Sequence, residues 1–392
     1  MKAVQNEFIG NLVMPDRIIY GGKLVCEDGV IVDIIENVAN SQTGLPYILP
    51  GLIDIHNHGA LGYDYMDSTM ESFDAISRHL TSHGVTTAQC TTVSATKEET
   101  VAFLDAYRQW NEYEKRDENQ CRFSGVHLEG PFLAEASRGA HPLEVLQVPE
   151  DGYEWILENA DVVKEITLAP ELSGMSQMIS DLKTAGIVVS GGHDQAEIED
   201  VEHAIQMGMT HCTHIYCAMS TLHKKNAHRK CGLCEYAMTH HNITAEMIAD
   251  NHHIPPLLAQ MIYRAKGAEK LCIVSDAISP AGMPEADTLY TLGTGEDATK
   301  VFVEGGVALV EDKSCYAGSV QALDRMISNL VKDCNIPFVD AVRMATLTPA
   351  EVIGIEQEYG SLHIGKRADL CLMDEDYTVI KTVISGNVCY EK

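Results

Sequence analysis

Two histidines one residue apart, in the run Asp54-Ile55-His56-Asn57-His58, are the first side chains whose types and spacing could do chemistry. Residues two apart on an extended strand face the same side, so both imidazoles can converge on one ion. Four further segments end a short apolar run with a ligand-type side chain: His127-Leu128-Glu129, Gly191-Gly192-His193, Thr213-His214 and Ser275-Asp276. Each has a plainer reading alone. With 17 histidines in the chain, a lone HxH can fall on a surface loop. Glu129 could pair with an arginine, His193 and His214 with backbone carbonyls, and Asp276 could cap a helix. Together, His56, His58, Glu129, His193, His214 and Asp276 form a nitrogen and oxygen set suited to one or two divalent ions. Zinc fits first, and iron, manganese or cobalt also fit. Such an ion lowers the pKa of its water to about 7 and polarises a carbonyl, so the implied chemistry is amide hydrolysis. Asp276 would accept the proton of the attacking water and return it to the departing amine.

The elements that must position these residues are eight short apolar runs, at 52–57, 85–93, 123–129, 165–170, 187–192, 209–213, 243–249 and 271–276. Segments of helical periodicity separate them. Between the fifth and sixth, Ile198, Val201, Ala204 and Ile205 share one face, with Glu197, Glu199, Asp200 and Glu202 largely outside it. Eight strands alternating with helices predict a (β/α)8 barrel, whose chemistry sits at the C-terminal ends of its strands. The termini read differently. Residues 15–38 and 368–392 read as strands joined by turns at Gly21-Gly22, Asp28-Gly29 and Ser385-Gly386-Asn387. The expected organisation is a small β-sandwich domain from residues 1–49 and 356–392, with the barrel over 50–355.

A formal net charge of −29 argues against binding nucleic acid, since it repels phosphate backbones. No apolar run is long enough to predict a membrane span. The first twenty residues alternate polar and apolar types rather than resembling a secretory signal, and the expected location is the cytoplasm. The 12 cysteines are scattered, so reduced thiols are expected, and Cys231 and Cys234 form a lone CxxC with no second pair to complete a zinc site.

In type and order these segments resemble the amidohydrolase superfamily, and within it the N-acetylglucosamine-6-phosphate deacetylases. The resemblance runs through PGLIDIH at 50–56, VHLEGPFL at 126–133, TLAPE at 167–171, GH at 192–193, THIYCAM at 213–219, Asp250 with His253, VSDAISPAG at 274–282, AGS at 317–319 and GSLHIGKRADL at 360–370. It implies that Glu129, His193 and His214 hold the main metal, that His56, His58 and Asp276 complete a second site bridged by Glu129, and that Asp276 is the acid/base. It also implies that His253 contacts the sugar or the reacting carbonyl, and that Ala140, Cys217, Ala218 and Ala317 fall where the family contacts substrate. Three positions depart from the family. Cys217 stands where an asparagine is usual, Asp250-Asn251-His252-His253 replaces Asp-Gly-Leu-His, and Lys225 aligns with an arginine that reaches a substrate phosphate across a dimer interface. Lys225 sits in the most basic stretch, 224–230, and offers a point charge rather than a bidentate fork. The resemblance therefore implies a homodimer acting on a small amino sugar phosphate, with the galactosamine epimer and unphosphorylated sugars left open. Other superfamily hydrolases or deaminases, and a non-enzymatic scaffold, are the alternatives. Cyclic amidases that use a carboxylated lysine at the fourth strand are disfavoured, because that strand here ends in Ala169-Pro170-Glu171.

Overall fold

The computed structural model describes residues 5–38, 44–113, 120–285, 288–295 and 298–392. Eight parallel strands carry the expected runs, most of them trimmed at the ends, while the third begins at Arg122 and the fourth is shifted back to start at Val163. They are β1 (Leu52–Asp54), β2 (Val85–Thr92), β3 (Arg122–Glu129), β4 (Val163–Leu168), β5 (Val188–Gly191), β6 (His211–Cys212), β7 (Ala245–Met247) and β8 (Leu271–Ile273). The first six lie side by side in chain order in one sheet, and β7 pairs with β8 in another. Backbone bonds join the pieces. Ile215 N donates to Glu246 O at 2.9 Å, and Asp276 N donates to His56 O at 2.9 Å, bringing the last strand back beside the first. The result is a curled parallel sheet covered by helices. All eight residues of β2 are buried, as expected for a strand packed on both faces.

The covering layer follows from sequence pattern. Thr96 caps the helix Lys97–Asn111 through a reciprocal bond with Glu99, and the helix buries Phe103, Leu104, Tyr107 and Trp110. Trp110 lies 5.8 Å from Phe73 and 4.7 Å from Phe123, measured between ring centroids, and its indole N–H donates to Asp74 at 3.0 Å. Truncating that indole to alanine would cost about 3–5 kcal/mol. The helix Ile198–Met207 buries Val201 and Ala204 and leaves Ile198 and Ile205 half-buried, as its periodicity predicts.

Both termini do enter one separate unit, a single seven-stranded sheet rather than a pair of facing sheets. Its central strand, Tyr47–Pro50, pairs antiparallel with Leu370–Met373 and parallel with Gln5–Val13, which in turn pairs antiparallel with Ile18–Glu27. The sheet curls over its own core of Leu12, Leu24, Ile31, Ile48, Leu370 and Val383. Gly21-Gly22 is not a turn. Gly22 pairs with Gly10 inside a strand, beside a bulge at Gly10/Leu12, and Gly21 takes a φ of 63° while its N–H bonds to Asn11 Oδ1 at 3.1 Å. The turns at Asp28-Gly29 and Ser385-Gly386 form as expected, with positive φ at all four residues. A part-buried ion pair from Arg122 on β3 to Asp369 ties the two units together.

One element has no counterpart in the sequence reading. Tyr290–Leu292, Thr299–Glu304 and Val307–Val310 form an antiparallel three-stranded sheet after β8. It lies against the strand-end loops: Gly293 N donates to Asp64 Oδ2 at 3.0 Å, and Thr299 Oγ1 donates to Ala140 O at 2.7 Å.

Candidate metal centre

The strand ends bring all six expected ligands to one place. His56 and His58 follow β1, Glu129 ends β3, His193 follows β5, His214 follows β6 and Asp276 follows β8. None lies on a surface loop; relative exposure runs from 0% at His56 to 8% at Asp276. Glu129 Oε1 is 3.0 Å from His193 Nε2 and 2.9 Å from His214 Nε2, and those two nitrogens are 3.1 Å apart. On the other side, His58 Nε2 lies 3.3 Å from Glu129 Oε2, 3.2 Å from Asp276 Oδ1 and 3.3 Å from His56 Nε2. Glu129 therefore stands between two clusters of donors.

The far ring nitrogens decide what the near ones can do. His193 Nδ1 faces the Ser137 carbonyl at 2.9 Å, and His56 Nδ1 faces Glu246 Oε2 at 2.9 Å. A ring that donates its Nδ1–H outward presents a bare Nε2 lone pair inward. Bare nitrogens about 3 Å apart repel unless a cation lies between them, so the donors fit a divalent ion. The carbonyl bond at His193, a plain alternative to ligation by sequence, uses Nδ1 and leaves Nε2 towards Glu129, so it is compatible with ligation.

Without an ion the cluster draws protons. Burial opposes a charge on His58, but hydrogen bonds to Asp276 and Glu129 outweigh it and push its pKa up to about 9. Burial also opposes ionisation of Asp276, yet the His58 bond and the charges on His56 and His58 hold its carboxyl below the ordinary value. An ionised Asp276 is free to act as a base. The site also concentrates backbone strain, with positive φ at His193, His214, Tyr216, Ala218 and Asp276. Side chains other than glycine seldom adopt that region, and where they do the surrounding packing enforces it.

A cavity of about 930 Å³ opens over the cluster, lined by five of the six ligands and by Ala140, Cys217, Ala218, His253 and Ala317. His56 lies behind it. His253 is aimed by Asp250, whose Oδ2 is 2.7 Å from its Nδ1. Burial pushes the Cys217 thiol well up, so it remains protonated. Lys225 does not line this cavity. It stands on the exposed hairpin His223–Lys225 and His228–Lys230 and pairs with Glu197 of its own chain. Cys231 and Cys234 are free thiols.

His141 is the residue the sequence reading missed. Its Nδ1 accepts from the Ser94 backbone N–H at 3.0 Å, which puts the proton of the neutral ring on Nε2, 3.2 Å from Glu129 Oε2. His141 is thus a donor that fixes Glu129, and burial keeps it neutral, with a pKa of about 4. Its one sequence signal was its place beside Ala140.

Comparison with known proteins agrees with this geometry. Residues 47–389 match the model of the amidohydrolase family. An N-acetylglucosamine-6-phosphate deacetylase of Bacillus subtilis is 31% identical over 97% of this chain and 95% of its own. An N-acetylgalactosamine-6-phosphate deacetylase of Escherichia coli O157:H7 is also 31% identical, over 92% of this chain and 93% of its own. The solved structure of the Mycobacterium smegmatis N-acetyl-D-glucosamine-6-phosphate deacetylase, an aspartate-to-alanine variant in complex with N-acetyl-D-glucosamine-6-phosphate, superposes with a TM-score of 0.88 at 26% identity, over 98% of this chain and 99% of that one. The chain belongs to the amidohydrolase family of metal-dependent hydrolases and, within it, to the N-acetylglucosamine-6-phosphate deacetylases.

Proposed function

We propose that this chain hydrolyses the acetamide of N-acetylglucosamine 6-phosphate, giving glucosamine 6-phosphate and acetate with consumption of one water. The observation that carries this reading is the cluster of His56, His58, Glu129, His193, His214 and Asp276 at the floor of a cavity of about 930 Å³, large enough for a sugar phosphate. In it the eight strands close as a (β/α)8 barrel over residues 50–355, and both termini build the smaller unit from 1–49 and 356–392.

Glu129, His193 and His214 would hold the main ion, and His56, His58 and Asp276 a second one, with Glu129 between them. Zinc suits this donor set best. A bound ion would supply Lewis acidity to the acetamide carbonyl and make water a nucleophile near neutral pH. The chain's own residues do the rest. Asp276 Oδ1 removes a proton from the attacking water and delivers it to the sugar nitrogen as the C–N bond breaks. His253, steadied by Asp250, steers the acetamide or sugar from above, and the small side chains of Ala140, Ala218 and Ala317 leave room for the ring. Lys225 would meet the 6-phosphate of a substrate bound in the partner of a homodimer, since within one chain it faces Glu197. Acidic composition and the absence of a long apolar helix among the described residues suit a cytoplasmic enzyme of amino-sugar breakdown.

One observation favours a second substrate. The relative that acts on the galactosamine epimer is as similar to this chain as the Bacillus subtilis one. The test is acetate release by metal-replete protein from N-acetylglucosamine 6-phosphate, N-acetylgalactosamine 6-phosphate and unphosphorylated N-acetylglucosamine. Preference for the first by tenfold or more in kcat/KM is expected. Preference for the second reassigns the epimer, and inactivity of folded, metal-loaded protein on all three contradicts the reading.

A further inference from the structure

One layer beneath the cluster, inside the strands, lies a second group of ionisable side chains that the hydrolysis does not use. Glu165 on β4 pairs in register with His127, two residues before Glu129 on β3, so it sits deeper than the strand-end ligands. His211 begins β6 and Glu246 is the middle residue of β7. All three are at most 1% exposed.

Each has one polar atom held by a neighbour and the other unpartnered. Glu165 Oε2 accepts from the Gln89 amide at 3.1 Å, in the amide orientation that also satisfies the Ile55 carbonyl. Glu246 Oε2 accepts from His56 Nδ1 at 2.9 Å and from the His214 backbone N–H at 3.1 Å. His211 Nδ1 lies 2.6 Å from Thr244 Oγ1. That hydroxyl spends its own proton on the Thr210 carbonyl, so the imidazole proton sits on Nδ1 and His211 Nε2 carries a lone pair. The atoms left over are Glu165 Oε1, Glu246 Oε1 and His211 Nε2, and none has a hydrogen-bond partner. They converge: His211 Nε2 is 3.5 Å from Glu246 Oε1 and 3.9 Å from Glu165 Oε1, and all three lie within 4.8 Å of one another.

Three buried polar atoms thus face one another with no partner in hydrogen-bond geometry, and burial, then the charge of Glu246, pushes the Glu165 carboxyl well above its ordinary value, a sign that its charge lacks a counterion. A shared proton does not join them at these spacings, because hydrogen bonds of this type close to about 2.5–3.2 Å. The spacings instead approach the edges of a coordination polyhedron. Ligands about 2.0–2.2 Å from one ion lie roughly 3.3–3.6 Å apart, and somewhat farther around a larger ion. Charge points the same way. No lysine or arginine pairs with Glu165 or Glu246 among the described residues.

We propose that Glu165, His211 and Glu246 form a separate, fully buried site for a divalent transition ion of the zinc or manganese class. The site is structural, since all three residues are buried and none of them lines the cavity. Through Glu246 it fixes His56 and the His214 backbone, so it couples the interior of the sheet to the catalytic floor. It stands independently of which sugar is the substrate, and it can fail while the deacetylase reading holds.

The test is crystallographic and stoichiometric. Protein replete with zinc, and separately with manganese, is crystallised, and anomalous difference maps are taken at each metal's edge. A peak within coordination distance of Glu165 Oε1, Glu246 Oε1 and His211 Nε2, distinct from those at His193 and His214, is expected with at least one metal. An ordered water or no density there with both metals overturns the proposal. Elemental analysis of Glu165→Gln should then show one ion fewer per chain than the parent, with acetate release retained in part; an unchanged count in folded variant also overturns it. Should that variant fail to fold, the maps of the unaltered protein decide alone.

Discussion

The two walls of the cavity are built on different plans. The floor consists of strand-end side chains that are buried, strained in backbone and held from behind: His193 by Ser137, His56 by Glu246 and Glu129 by His141. The upper wall comes from loops and the late three-stranded sheet, and it carries half-buried Cys217 and Cys315 and exposed Lys313. In the proposed function the floor would make the chemistry and tolerate little change, because the direction of His193, His56 and Glu129 is set by another buried group. The wall would set which sugar fits, and it holds Cys217, one of the positions that the resemblance marks as a departure from its family. Substitutions should therefore divide into those that abolish turnover and those that shift KM.

The largest effect is expected at Glu129. Glu129→Gln replaces the carboxylate between both ligand clusters with a neutral amide, so bound metal and acetate release should fall together to the level of chelator-treated protein. Elemental analysis beside an acetate assay checks this, and an active variant that retained its metal would erase the distinction between floor and wall. Next comes His253→Asn, which removes the ring aimed by Asp250 while leaving the metal ligands alone. A loss of about 10–100-fold in kcat/KM with full metal content is expected, and steady-state kinetics decides it. At Cys217→Asn the effect should be smaller and confined to the wall. A protonated thiol is a weak hydrogen-bonding group, and an amide in its place should lower KM for the phosphorylated sugar by up to about fivefold, worth about 1 kcal/mol, with kcat little changed. A matching change in kcat instead would move Cys217 to the reacting centre.

The smallest effect lies away from the cavity and sharpens the comparison by showing ordinary buried-histidine behaviour. Burial, and then the charge of His83, depresses the pKa of His79 to about 4 from 6.5. The folded state therefore prefers the neutral ring. Its contribution is complete above pH 6.5 and is lost as pH falls through 6.5 towards 4. His79→Gln should cancel that term, so the variant gains about 1–2 kcal/mol relative to the parent between pH 7.5 and pH 4.5. Denaturant midpoints at both pH values check it, and parallel pH dependences would contradict it.

The floor was largely legible in the sequence because strand periodicity and strand-end placement are local signals. His56 and His58 are two apart, and His193, His214 and Asp276 each follow an apolar run. His141 was not legible, since its role depends on Ser94 holding the ring from a different loop. Glu165 and Glu246 were visible only as carboxylates inside apolar runs, and nothing local says that their side chains meet. Most strands came out shorter than the runs, as with β8, where Val274 to Asp276 belong to the loop after the strand. At the termini, Gly21-Gly22 has turn composition, but long-range pairing with Gly10 keeps it in a strand. The late sheet escaped notice because its strands pack against the strand-end loops rather than repeating the alternation of strand and helix.

Asp276 links the two halves of the account, since it sits among the candidate ligands and is the proposed carrier of the proton. The most direct measurement is acetate release from N-acetylglucosamine 6-phosphate by Asp276→Asn, with metal content determined on the same preparation. An asparagine keeps an oxygen towards His58 but cannot accept the proton. The account predicts that the ion at Glu129, His193 and His214 is retained while kcat falls about 10²–10⁴-fold. Near-parental turnover in the metal-loaded variant would show that another group moves the proton and would contradict the central claim.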